Sequence, residues 1–184
     1  AATRSAASGI SKASGMRCLS IDYRLAPENP FPAAIDDTYT AYKWLLDQEF
    51  EASNIVVGGI SAGGGLTCAL LLKLKEKMEP LPAGAVPMSA WTDLTQSGET
   101  MQTNAKTDPV ISKAYLDRMA GLYLKGADPK MPLASPLFGE FDGLPPMLVQ
   151  VGTTETMFDD SQRYAEAAQA AGVDVTFEPA AWAA

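Results

Sequence analysis

Short apolar runs alternate along this chain with longer segments whose apolar positions recur every three or four residues, the patterns of buried strands and of helices. Residues 2–13 predict a short helix ended by Gly15, and Met16–Tyr23, with Cys18, Leu19 and Ile21, predicts a buried strand. After a loop over Arg24–Pro30, Ile35, Tyr39, Tyr42 and Leu46 share one face of a helix near 32–48, with Pro32 in its first turn. Asn54–Val57 predicts a second strand, Ala62–Lys77 a helix with Leu66, Leu70 and Leu74 on one face, and Gly84–Met88 a third strand. Beyond Trp91 a polar segment containing Gly98, Asn104 and Pro109 leads to a helix over 113–125, capped by Ser112. Five prolines within Gly126–Pro146 predict irregular structure wrapped over the domain. Met147–Val151 predicts a fourth strand, Asp159–Ala171 a helix stopped by Gly172, and Val173–Phe177 a fifth strand.

Strands this apolar, alternating with helices of ten or more residues, imply one α/β domain: a mostly parallel sheet with helices on both sides. Sites in such sheets gather just beyond the strand C-termini, here residues 22–28, 58–63, 89–95 and 152–155.

Composition narrows the chemistry. Fourteen Lys and Arg against 22 Asp and Glu leave a net charge of −8, which repels nucleic acid and anionic lipid. Residues Ile55–Leu72 carry no charge over 18 positions, the length of a membrane span, but five glycines among them fit strand, turn and helix instead. With no apolar leader at the N-terminus, the expectation is a protein without a membrane span. Two cysteines, Cys18 and Cys68, are too few for a disulfide framework, and both lie in apolar stretches that predict buried thiols and a cytoplasmic location. The sequence has no histidine, which removes the usual general base and the commonest metal ligand together.

Gly59-Ile60-Ser61-Ala62-Gly63 matches the G-x-S-x-G nucleophile elbow, and it stands between a predicted strand and a predicted helix. A serine on so sharp a turn needs glycines two positions before and after it to avoid collision, while its hydroxyl projects from the sheet. Ser61 is therefore the predicted nucleophile. The Ala62 N–H, at the positive end of the following helix, is the predicted oxyanion donor. The bland alternative is a tight connection or an anion cradle. Glycines spaced as in a dinucleotide or phosphate loop are absent, which disfavours nucleotide binding.

Asp22-Tyr23-Arg24-Leu25-Ala26-Pro27-Glu28, Pro30-Phe31-Pro32-Ala33-Ala34, Ser61-Ala62-Gly63-Gly64, Trp91-Thr92-Asp93-Leu94 and Gly143-Leu144-Pro145-Pro146 together resemble the hormone-sensitive-lipase-like esterases of the α/β-hydrolase superfamily. The resemblance covers nearly all of this chain but only the later portion of a family member. It implies a serine carboxylesterase acting on short-chain acyl esters, with no metal or cofactor and a small-molecule ester as its partner. It makes Glu155, in Gly152-Thr153-Thr154-Glu155-Thr156-Met157, the triad acid. Its rivals, Asp159 and Asp160, are better explained as first-turn helix acids. Arg24 and Glu28 are expected to brace loops by pairing. Lid and pocket residues are expected within 92–140, although Leu94, Met101, Leu116 and Met119 fit plain core as well.

The same resemblance implies a His-Gly-Gly-Gly loop before residue 1 and a histidine after the strand ending near Phe177. The sequence has neither, and reads Pro179-Ala180-Ala181-Trp182-Ala183-Ala184 where the histidine loop would begin. Residues 1–184 are thus expected to be one hydrolase-like domain incomplete at both ends, lacking N-terminal strands and lid. Ile60 stands where many relatives carry aspartate. Without its base a serine triad loses on the order of a millionfold in kcat, so this chain alone is expected to be nearly inert. The alternative is a non-catalytic module that binds a ligand or protein. A homodimer paired through the last strand is a further expectation.

Overall fold

The computed structural model describes residues 2–181, with side chains from Ser5 onward; Trp182–Ala184 lie outside the described residues. In chain order the elements are α1 (Ala2–Ser14), α2 (Ala33–Asp47), β1 (Val56–Ile60), α3 (Ala62–Glu76), β2 (Gly84–Met88), α4 (Thr100–Thr103), α5 (Lys113–Leu124), β3 (Met147–Gly152), α6 (Phe158–Ala170) and β4 (Val175–Ala180). The four strands form one parallel sheet in the order β1-β2-β3-β4.

Register decides which residues share a face. Val57 stands opposite Ala85, Ala85 opposite Met147, and Met147 opposite Val175. On that face they meet Cys68, Leu71 and Leu72 of α3 and Tyr164, Ala165 and Ala168 of α6 in one buried cluster. The other side of α3 presents Ala69, Leu70 and Leu74 to Ile35 and Tyr42 of α2. Helix α3 is therefore buried nearly all round, which explains its run of uninterrupted apolar residues. On the opposite sheet face Val56 and Ile60 remain 51% and 55% exposed. The expected helical cover on both faces is found on one among the described residues, and α1 buries no side chain from Ser5 onward.

Met16–Tyr23 is extended but is not a strand. A strand exists only by pairing its backbone, and β1 bonds to β2 alone, so its outer edge has no neighbour among the described residues. The segment instead runs along α2: the Arg17 guanidinium sits 4.6 Å over the Phe50 ring, and Leu19, Ile21 and Tyr23 line a shallow groove with Ala41 and Trp44. Cys18, expected to be buried, is consequently exposed, whereas Cys68 is buried and its thiol is pushed up to about 12 by burial. Arg24 does brace its loop, but through Asp37 rather than Glu28, at 2.7 Å.

The stretch between β2 and β3 holds more order than its polar and proline-rich sequence suggests. Leu94, Met101 and Leu116 are core residues there, Met119 is partly buried, and Ser112 caps α5 by accepting the Tyr115 N–H. Among the described residues no helix is long and apolar enough to cross a membrane.

Candidate active site

Ser61 follows the last residue of β1 and precedes the first of α3. Its backbone lies at φ 56° and ψ −117°, a conformation costing a non-glycine residue about 1–3 kcal/mol. Three backbone bonds hold it there. The Ser61 N–H donates to the Met88 carbonyl at 2.9 Å, and its carbonyl accepts the N–H groups of Gly65 at 3.0 Å and Trp91 at 3.1 Å.

The glycines around this turn have different reasons. A Cβ on Gly59 would lie 2.3 Å from the Gly63 carbonyl oxygen, and on Gly65 2.3 Å from that of Trp91. A Cβ on Gly64 would lie 2.8 Å from that of Ala90. Helix α3 thus enters almost in contact with β1 and with the segment after β2. Gly63 differs from the expectation: a Cβ there would meet nothing within 4 Å. The Ala62 N–H, at the first position of α3, has no intrahelical acceptor.

Glu155 lies in the turn between β3 and α6, at the same sheet edge as Ser61. Its Oε1 accepts from the Ser89 hydroxyl and from the Gly152 N–H, both at 2.9 Å. Its Oε2 has no hydrogen-bond partner among the described residues. The two residues are linked through consecutive positions, since Met88 holds the Ser61 backbone and Ser89 holds the Glu155 carboxylate.

The rival acids are engaged elsewhere. Asp160, fully buried, accepts the N–H groups of Thr92 and Asp93 at 2.9 Å each. Burial pushes its carboxyl up to about 7 against those bonds, with the neighbouring Asp93 charge adding to the rise. Asp93 is buried too, yet bonds from Ser97 and Thr95 outweigh that burial and hold it below the usual carboxylate range. Arg163 reaches it at 3.1 Å. Asp159 accepts the Thr100 N–H at 3.0 Å. Sequence reasoning took both Asp159 and Asp160 for first-turn helix acids and so missed that they anchor the segments after β2.

With a strained serine at the strand-to-helix turn and a carboxylate two strands away, the arrangement can be compared with known proteins. A family described by its alpha/beta hydrolase fold matches residues 1–181. The chain belongs to the α/β-hydrolase family. Among curated relatives of this chain, an acetyl-hydrolase of Streptomyces hygroscopicus is 43% identical over 175 residues, spanning 95% of this chain and 58% of that protein. An esterase of Acinetobacter venetianus is 42% identical over 164 residues, spanning 89% of this chain and 54% of that protein. Among solved structures, an esterase/lipase from an uncultured bacterium superposes with a TM-score of 0.93 at 45% identity, over 96% of this chain and 59% of that one. An esterase of the bacterial hormone-sensitive lipase family gives 0.91 at 50% identity, over 92% and 57%. The chain spans little more than half the length of the relatives it matches.

Proposed function

We propose that the protein is a serine carboxylesterase acting on short-chain acyl esters, with Ser61 as nucleophile and Glu155 as the acid that orients the base. The observation that carries this reading is a strained Ser61 at the end of β1 together with, beyond β3, a Glu155 carboxylate whose Oε1 is fixed and whose Oε2 has no partner among the described residues. Ser61 Oγ attacks the ester carbonyl carbon, and the base removes the serine proton. The Ala62 N–H stabilises the oxyanion that forms. Collapse expels the alcohol, which takes the proton from the base, and water then releases the acid from the acyl-enzyme.

The 184 residues contain no histidine, so the reading requires a base that they do not supply. The lysines of α3 do not replace it. Lys73 pairs with Asp36 and Lys75 with Asp142, three turns or more along α3 from Ser61.

The experiment replaces the matching segment of the S. hygroscopicus acetyl-hydrolase with residues 1–181 and treats the product with an organophosphonate ester. Labelling mapped to the Ser61 peptide is expected, and a folded graft that resists the probe contradicts the reading.

A further inference from the structure

Every backbone carbonyl from Thr153 to Thr156 is bonded by a side chain from a single short stretch, residues 100–107. Asn104 Nδ2 donates to the carbonyls of Thr153, at 3.2 Å, and Glu155, at 2.9 Å. Thr107 Oγ1 shares its one hydrogen between the Thr154 and Asn104 carbonyls, at 3.1 Å each, and Thr100 Oγ1 donates to the Thr156 carbonyl at 2.9 Å. Just beyond this stretch, Asp108 Oδ2 accepts both the N–H and the hydroxyl of Thr156, at 2.8 and 3.0 Å. Its Oδ1 accepts the N–H groups of Val110 and Ile111, at 2.9 Å each. Burial works against the Asp108 charge, but these bonds outweigh it and hold the carboxyl below its usual range.

The bonds are complementary in kind. The turn offers carbonyls to Asn104 and two threonine hydroxyls, and offers donors to the one carboxylate. An amide NH2 has two hydrogens, and Asn104 uses them on two carbonyls that flank Thr154. Beneath the stretch, Met101 and Leu116 pack against Met157, two residues after Glu155, so apolar contact and hydrogen bonds act on the same turn.

From this geometry we infer that residues 100–108 form a clamp that sets the position of the Glu155 carboxylate, with Asn104 and Asp108 as its positioning residues. The inference rests on the reading of Glu155 as triad acid. The turn is the only covalent support of the carboxylate. Its direct bonds, from Ser89 and Gly152, fix Oε1 alone, and the clamp fixes the backbone from which the side chain extends. Oε2, without a partner among the described residues, is then presented in one place, which is what an acid that orients a base must do.

The Gly152 N–H, bonded to Oε1, reports that position without any need for turnover. The experiment measures amide hydrogen exchange by NMR in the graft into the acetyl-hydrolase and its variants. Asn104→Asp keeps the shape of the residue but turns two donors into acceptors facing two carbonyls. It is expected to speed exchange at Gly152 and Thr156 at least tenfold while the Val86 amide in β2 keeps its protection. Thr107→Val, a milder change, is expected to speed the same two amides less. Ser112→Ala, which removes the cap of α5 without touching the turn, is expected to leave both unchanged. Unaltered Gly152 exchange in Asn104→Asp and Thr107→Val overturns the inference, as does acceleration shared equally by Gly152 and Val86. The esterase reading fails separately: accelerated exchange with no phosphonate labelling of the graft leaves the clamp and removes its catalytic purpose.

Discussion

Thr92 and Asp160 are bonded to one another twice: the Thr92 N–H donates to Asp160 Oδ2 at 2.9 Å, and the Thr92 hydroxyl donates to the Asp160 carbonyl at 3.0 Å. The pair fastens the segment after β2 to the helix after β3. The two segments that carry Ser89 and Glu155 are thereby locked together beneath the site, through residues that are fully buried.

The same carboxyl makes stability depend on pH. Burial raises Asp160 to about 7, above its value in the unfolded chain, so the folded state binds the extra proton between roughly pH 4 and 7. Stability from this group is present at the acid end of that window and is lost as pH rises through about 7. Urea midpoints should fall between pH 5 and 8, by on the order of 2 kcal/mol in unfolding free energy. Asp160→Asn, whose amide oxygen can still accept both N–H groups, should flatten that fall. Asp93 and Asp108 are shifted the other way, so their contributions are lost only at more acid pH.

Gly59 and Gly63 look alike in the sequence motif but should respond in opposite ways. Gly59→Ala forces a Cβ against the Gly63 backbone at 2.3 Å and should cost about 3 kcal/mol or more. Gly63→Ala meets open space within α3 and should stabilise the chain by about 0.5–1 kcal/mol. Thermal melts of the two variants decide the matter, and equal destabilisation would refute the distinction.

In the graft into the acetyl-hydrolase, Glu155→Gln should lower kcat about 10⁴-fold while leaving KM within a few-fold, as expected for a residue that orients the base. Ser89→Ala removes one bond to a charged oxygen and should lower kcat about tenfold, since the Gly152 N–H still holds Oε1. If Ser89→Ala proved as severe as Glu155→Gln, the hydroxyl would have a role of its own in the reaction.

The elements with a complete local signature were legible in the sequence. Helices α2, α3, α5 and α6 follow from apolar periodicity and end signals such as Ser112 and Gly172. The sharp strand-to-helix turn at Ser61 was legible because strand, glycines, serine and helix all adjoin in sequence. Met16–Tyr23 was misread because alternation reveals an apolar extended segment but not whether a neighbour exists to pair with it. Asn104, Asp108 and Asp160 were missed as anchors for a related reason. The distant partners that they anchor lie 48 or more residues away, and a polar residue in a loop gives no local sign of what it will hold.

Hydrolysis of p-nitrophenyl butyrate by the graft tests the proposed role of Ser61 as nucleophile most directly. Activity within about tenfold of the intact acetyl-hydrolase is expected, with a loss of at least about 10⁴-fold in Ser61→Ala. A folded graft without activity, or a Ser61→Ala variant as active as its parent, would contradict it.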